Sequence, residues 1–109
     1  MPEKIGLPSP KIYIAEEKIT RYLLVELPKD DKSQFLSQAN YTLENWQTLR
    51  SDLQKLAQTE PAEYLSSTPY GSKYKIRGNL RSVKVITIWM VVSDTAKFIT
   101  LIPDKGDKS

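Results

Sequence analysis

The hydrophobic pattern of this chain changes its period at Pro61, and this change restricts the fold more than any other feature of the sequence. Before Pro61, apolar residues recur at spacings of three and four, as they do along one face of an α-helix. After Pro61, β-branched and aromatic residues become dense and alternate with polar residues, as they do in β-strands. Helices followed by strands are typical of a segregated α+β domain, so we predict that class rather than alternating β and α units.

Three N-terminal helices are predicted. The clearest covers about 43–58, where Thr42 is the expected N-cap and an apolar stripe follows at helical spacing. A helix over about 15–26 has one apolar and one charged face. A short helix over about 31–39 is expected to end at Asn40, because asparagine tolerates the left-handed conformation that stops helices.

Three strands are predicted to follow, over about 72–81, 83–92 and 96–102. The connections between them are short and rich in turn residues, which favours an antiparallel sheet packed against the helices. In the first strand, apolar and basic side chains alternate and therefore point to opposite faces. The second strand is apolar on both faces, which predicts a central position or a face buried at a partner interface.

The remaining segments set the limits of the domain. Residues 64–68 are a candidate fourth strand, and residues 11–14 are a candidate edge strand. Residues 1–10 contain three prolines and are predicted to form an extended leader, whereas residues 104–109 are predicted to be a disordered polar tail. Residues 11–103 would then form one α+β domain, as the length of 109 residues suggests.

The chain contains no cysteine and no histidine. Disulfides, thiolate metal sites and a cysteine nucleophile are therefore excluded, as are the commonest metal ligand and the commonest general base. With four glycines and no glycine-rich phosphate loop, a nucleotide-cofactor enzyme is also disfavoured. We expect no metal, no cofactor and no membrane partner.

The hydropathy of the sequence predicts a cytoplasmic protein. The first 14 residues, MPEKIGLPSPKIYI, have neither the apolar run nor the small-residue cleavage site of a secretory signal. The most apolar stretch, Val83–Val92, is far shorter than the roughly 20 residues that a membrane-spanning helix needs.

Charge is distributed unevenly along the chain. Residues 1–63 contain 8 basic and 10 acidic side chains, whereas residues 64–103 contain six basic side chains and only Asp94 as an acid. These six are Lys73, Lys75, Arg77, Arg81, Lys84 and Lys97. A basic strip on a sheet is typical of surfaces that bind polyanions. The alternative is a solvated edge, because lysine and arginine also protect edge strands from aggregation.

Trp89 shares a face of the second predicted strand with Thr87. If that face is open, Trp89 beside the cations would form a platform on which bases stack. Burial of Trp89 beneath a helix is the favoured alternative, because tryptophan is a frequent core residue.

Several short motifs follow one another in a characteristic order. They are Glu17 to Leu24, Leu27-Pro28-Lys29, Lys32 with Phe35, Asn45-Trp46 with Leu49 and Leu53, Tyr70-Gly71 with Lys73-Tyr74, Thr87-x-Trp89, and Phe98-Ile99-Thr100-x-x-Pro103. Over roughly residues 12–103, this order resembles a family of small bacterial domains of unknown function. Those domains are in turn similar to toxin-associated domains with the fold of the barnase, EndoU, colicin and RelE class of ribonucleases.

The resemblance implies that RNA lies across the sheet. It implies catalytic roles for Lys29, Lys97 and Thr100, and binding roles for Thr87 and Trp89. The chain departs from the more toxin-like members in having no histidine, and in having Lys97 where an arginine is usual. We therefore expect a non-catalytic member rather than an active ribonuclease.

Three functional hypotheses result. The first is a small module that binds RNA or an acidic protein partner through Lys73, Lys75, Arg77, Arg81, Lys84, Thr87 and Trp89. The second is a weak, metal-independent ribonuclease. The third is a structural protein that forms a homodimer through the second apolar face of residues 83–92.

Overall fold

The computed structural model describes residues 11–24 and 33–104. The predicted leader, residues 105–109 of the predicted tail, and Lys29 lie outside the described residues. Asp104, the first residue of that predicted tail, donates its backbone N–H to the carbonyl oxygen of Lys84 at 2.9 Å.

The described residues form an α+β fold with one five-stranded mixed sheet. The strands are β1 (Lys11–Tyr13), β2 (Glu63–Thr68), β3 (Gly71–Leu80), β4 (Val83–Val92) and β5 (Thr95–Pro103), and their order across the sheet is β1-β5-β4-β3-β2. β2 to β5 pair with their neighbours in antiparallel fashion, whereas β1 is parallel to β5.

The prediction of an antiparallel sheet of three to four strands was therefore wrong in number and in direction. Both candidate strands are present, and β1 precedes the helices, so the helices are not strictly N-terminal. β1 has only three residues, too few to show a reliable alternation in the sequence. Its pairing with β5 depends on a contact about 84 residues away in the chain, which no local pattern encodes.

The predicted helices are present but are shorter or less regular than expected. α1 begins as a turn of α-helix, Glu16–Lys18, and continues as a π-helical turn, Ile19–Leu23. α2 (Ser33–Ser37) is followed by a turn that ends at Asn40, whose φ of 66° confirms the left-handed conformation predicted there. None of the helices in the described ranges is long and apolar enough to span a bilayer.

α3 (Trp46–Thr59) is the longest helix, and a 3₁₀ turn, Leu43–Asn45, leads into it. The backbone N–H of Thr42 donates to Oδ1 of Asn45 at 2.8 Å, which orients the start of this turn. The predicted stripe is buried at Leu49, Leu53 and Leu56.

α3 packs on one face of the sheet, which we call the inner face. At Gly78 of β3, a Cβ atom would lie 2.8 Å from Cδ1 of Leu56, so the missing side chain allows the helix to approach the strand. The largest side chains of the core that this packing encloses are Trp89, Tyr41, Ile19, Leu23, Leu36, Leu49, Leu53, Ile76, Leu80 and Leu101. The core therefore joins both helical and strand residues in a single layer between helices and sheet.

The β2–β3 connection depends on a second glycine. Gly71 has a φ of 147°, and a Cβ atom there would lie 2.5 Å from the carbonyl oxygen of Val91. Only glycine fits this close approach of the start of β3 to the end of β4, and from here the two strands pair from Ser72 with Val91 to Leu80 with Val83.

Candidate functional site

The strand register defines the face of the sheet opposite to α3, which we call the outer face. On β4, Val85, Thr87 and Trp89 are buried on the inner face, so the alternating residues between them point outward. The described outer-face side chains on the three long strands include Lys73, Lys75 and Arg77 of β3, Lys84, Ile86, Ile88 and Met90 of β4, and Lys97, Thr100 and Ile102 of β5.

Five of the six predicted cations lie on this face. Lys73, Lys75 and Arg77 pair across the sheet with Met90, Ile88 and Ile86, and Lys97 pairs with Met90 from the other side. The cations therefore flank an apolar ridge formed by Ile86, Ile88 and Met90. These three side chains are partly exposed, and Ile102 beside them is 42 % exposed.

Two of the five cations have acidic partners. Nζ of Lys75 lies 3.6 Å from a carboxylate oxygen of Glu63, and Nε of Arg77 lies 3.8 Å from a carboxylate oxygen of Asp104. The Lys75 side chain is 23 % exposed, whereas that of Arg77 is 61 % exposed. Lys75 is thus the more enclosed of the two and contributes less free charge to the surface.

The other three cations are Lys73, Lys84 and Lys97. Among the residues that the structure describes, none of these lysines forms a salt bridge. Lys84 and Lys97 are exposed, and Lys73 is half-buried. Their charges are therefore the ones most available to an anionic partner.

Arg81, the sixth cation, does not share the outer face. β3 ends at Leu80, and Arg81 lies in the β3–β4 turn with a φ of 57°. Its Nη1 donates hydrogen bonds to the carbonyl oxygens of Ala39 and Asn40 at 3.1 and 3.2 Å, and its guanidinium lies 4.6 Å from the ring centroid of Tyr41. The strict alternation predicted for residues 72–81 thus ends one residue early, and Arg81 ties the turn to the segment after α2.

Thr87 and Trp89 are both fully buried. Nε1 of Trp89 donates to the hydroxyl of Thr87, and the ring of Phe98 packs edge-on against the indole with centroids 5.3 Å apart. Neither side chain is on the surface, so neither is offered to a ligand on the outer face, and burial of Trp89 is confirmed. Trp89 faces the helices because the inner face of β4 is the one that α3 and its neighbours cover.

Two of the three candidate catalytic residues are described. Lys97 and Thr100 lie on β5 on either side of an irregularity in the register, opposite Met90 and Ile88. The hydroxyls of Thr100 and Tyr22 are 3.1 Å apart, which brings a phenol from α1 to this strand. Tyr22 falls on the apolar face predicted for this helix, and that face alone does not predict the contact with Thr100 of β5.

A second residue that sequence reasoning missed is Tyr13. It pairs with Lys97 across the β1–β5 edge and is 54 % exposed. Its signal in the sequence is its position between Ile12 and Ile14, since alternation places the two isoleucines inward and the tyrosine outward.

A mixed-charge cleft lies away from the outer face, between α3 and the β3–β4 turn. It has a volume of about 330 Å³, and its polar lining includes Asp52, Lys55, Glu60, Asn79 and Arg81. Asp52 accepts a 2.6 Å hydrogen bond from the buried hydroxyl of Tyr41. Burial and this hydrogen bond raise the pKa of Tyr41 well above its usual value, so the phenol stays protonated and acts as a structural donor.

The chain belongs to the family described as a domain of unknown function (DUF6883), whose model matches residues 7–105. This match confirms the resemblance to a family of domains of unknown function, whereas the likeness to the ribonuclease fold stays a prediction. Comparisons with curated proteins and with solved structures give no match.

Proposed function

We propose that the protein is a non-catalytic RNA-binding module and that the outer face of its sheet is the binding surface. The observation that carries this proposal is the charge of that face. Its three long strands contribute five cations, of which two pair with Glu63 and Asp104, whereas Lys73, Lys84 and Lys97 form no salt bridge with a described residue.

The physical basis is the release of counterions from the nucleic acid. A lysine that neutralises a phosphate frees a condensed cation, and this term supplies most of the sequence-independent affinity for RNA. The three lysines that have no acidic partner among the described residues can do this without first breaking a salt bridge to any of those residues. The partly exposed ridge of Ile86, Ile88 and Met90 offers apolar contact between them.

The same charge disfavours the homodimer hypothesis. A twofold interface on the outer face would place each copy's surplus of cations against that of the other copy, because both copies use the same patch. Like charges brought together and desolvated are unfavourable, so burial of the ridge by a second copy would have to overcome this repulsion.

A weak ribonuclease is the second candidate, and the pair of hydroxyls at Tyr22 and Thr100 favours it. In a chain without histidine, proton transfer falls to carboxyl groups, lysines and phenols, and Tyr22 brings a phenol next to Thr100. In this reaction the ribose 2′-hydroxyl gives up its proton to a base and attacks the phosphorus of its own 3′-phosphate. The bond between that phosphorus and the 5′-oxygen of the next nucleotide breaks, the 5′-oxygen takes up a proton, and a 2′,3′-cyclic phosphate forms. Lys97 would stabilise the charge that develops on the phosphate.

Two charge-matched double variants test the proposed binding. Lys84→Glu/Lys97→Glu reverses two exposed cations of the outer face, and Arg21→Glu/Lys55→Glu reverses two exposed cations on the helices. Anisotropy of a labelled single-stranded RNA measures binding, and a gel of the same samples shows whether the RNA is intact.

We expect the outer-face variant to bind RNA roughly tenfold more weakly, because each lysine lost removes a phosphate contact. The helical variant has the same net charge and should bind much more tightly than the outer-face variant. Equal losses in the two variants would contradict the proposal, since only the total charge would then matter. Shortened RNA that ends in a cyclic phosphate would contradict a non-catalytic module and would support the ribonuclease.

A further inference from the structure

One row of paired side chains crosses all five strands of the outer face. The register joins Tyr13 to Lys97, Lys97 to Met90, Met90 to Lys73, and Lys73 to Ser66. Adjacent strands are about 4.8 Å apart, so the row is about 19 Å long and its two lysines are about 10 Å apart. We call this set the cross-strand row.

The row combines two lysines with an exposed tyrosine. Neither Lys73 nor Lys97 forms a salt bridge with any described residue, so both ammonium groups can take phosphate oxygens. Tyr13 lies at the β1 end with 54 % of its surface exposed, and its hydroxyl has no hydrogen-bond partner among the described residues. An exposed aromatic ring next to these two cations combines the two elements of single-strand recognition, which are a charged path and a stacking surface.

This inference rests on the proposed function and specifies its ligand. We propose that the cross-strand row is the path of single-stranded RNA, with Lys97 and Lys73 on successive stretches of the phosphate backbone and Tyr13 stacked on an unpaired base. Bases in a duplex are hidden between their neighbours, so a ring at the edge of the sheet can stack only on a base that is unpaired. Stacking uses the face of the base, so the site tolerates any sequence.

The test separates stacking from charge by using two probes. One probe is a labelled single-stranded oligoadenylate of about 12 nucleotides, which carries both phosphates and bases. The other is inorganic polyphosphate, which carries the charge without the bases and is measured by its competition with the labelled RNA. Tyr13→Leu removes the aromatic face but keeps an apolar side chain, whereas Tyr13→Phe keeps the ring.

Tyr70→Leu is the matched control. Tyr70 is 78 % exposed, but it lies in the β2–β3 turn outside the cross-strand row. It therefore reports what the loss of any exposed tyrosine does to the affinity.

We expect Tyr13→Leu to lower the affinity for oligoadenylate about tenfold, in line with the loss of one stacked base. The dissociation constant of polyphosphate, calculated from the competition curve, should stay unchanged. Tyr13→Phe and Tyr70→Leu should bind oligoadenylate as the wild type does. Unchanged oligoadenylate affinity in Tyr13→Leu would overturn the stacking role, and so would equal losses with both probes, because a change of fold or charge would then explain them. Failure of the wild type to bind either probe would instead overturn the proposed function itself.

Discussion

The indole Nε1 of Trp89 donates a 2.7 Å hydrogen bond to the hydroxyl of Thr87, two residues earlier on the inner face of β4. That hydroxyl in turn donates to the carbonyl oxygen of Ile76 on β3 at 2.9 Å. Both side chains are fully buried, so this chain of hydrogen bonds satisfies the only polar atom of the largest core residue and ties two central strands together.

Thr87→Val should therefore destabilise the protein by about 2 kcal/mol, although the two side chains have nearly the same shape. The variant leaves the buried indole N–H without an acceptor, and an orphaned buried donor costs more than a hydrogen bond normally contributes. Thr87→Ser keeps the hydroxyl and loses only a methyl group, for which we expect a cost of about 1 kcal/mol. Urea unfolding measures both values, and a valine variant at least as stable as the serine variant would contradict this role.

Replacement of Arg81 should affect stability rather than RNA binding. Arg81→Ala removes two hydrogen bonds to the segment after α2 and the contact with the Tyr41 ring, so we expect a loss of about 1 to 2 kcal/mol. Arg77→Ala should cost at most about 0.5 kcal/mol, because its ion pair with Asp104 is partly exposed, but it should weaken RNA binding. Thermal unfolding measures the stability of the two variants, and anisotropy measures their affinity for RNA. A stable Arg81→Ala variant that binds RNA weakly, beside an unstable Arg77→Ala variant that binds RNA normally, would contradict these roles.

Gly78→Ala should push α3 away from the sheet. Its Cβ would lie 2.8 Å from Cδ1 and 3.0 Å from Cγ of Leu56, so we expect a cost of about 1 to 3 kcal/mol from overpacking. In Gly78→Ala/Leu56→Ala the obstructing atoms are gone, and the combined loss should be smaller than the sum of the two single losses by about 1 kcal/mol. Additive losses in urea unfolding would show that the close approach of these residues does not control the helix position.

Stability should fall as the pH rises above about 10, with Tyr41 as a main cause. The folded state holds the pKa of Tyr41 well above its usual value near 10, so the unfolded chain releases this proton at a lower pH than the folded chain. The contribution is fully present below that usual value and is lost as the pH rises toward the folded-state pKa. Tyr41→Phe has no phenolic proton and should show a shallower decrease of unfolding free energy between about pH 9 and pH 11, whereas an equal slope in both proteins would contradict the assignment.

The α+β class was predictable because it depends on periodicity, which is local. The stripe of α3 and the alternation of β3 are visible in short windows, and their buried positions at Leu53 and Ile76 follow from those patterns. The left-handed residue at Asn40 follows from the same kind of local preference. β1 was harder to predict, because three residues are too few to show a clear alternation of apolar and polar side chains. Its pairing with β5 also depends on contacts between residues that are far apart in the sequence.

The candidate site was predictable in its charge but not in its orientation. Alternation placed Lys73, Lys75 and Arg77 on one face, and the structure places them on the outer face. Alternation alone does not show which face of β4 the helices cover, because both faces of that strand are apolar. Arg81 was assigned to the strip because the strand was predicted one residue too long, and its turn conformation redirects the side chain toward the helices.

The salt dependence of RNA affinity tests the central claim most directly. Three lysines that each neutralise one phosphate of a single strand give a slope of about −2 in a plot of the logarithm of affinity against the logarithm of salt concentration. We therefore predict that the affinity of the wild-type protein falls about 20-fold between about 50 mM and about 200 mM monovalent salt, with the RNA intact on a gel afterwards. No binding at the lower salt concentration, or an affinity that does not change between the two, would contradict the assignment of the outer face as an RNA-binding surface.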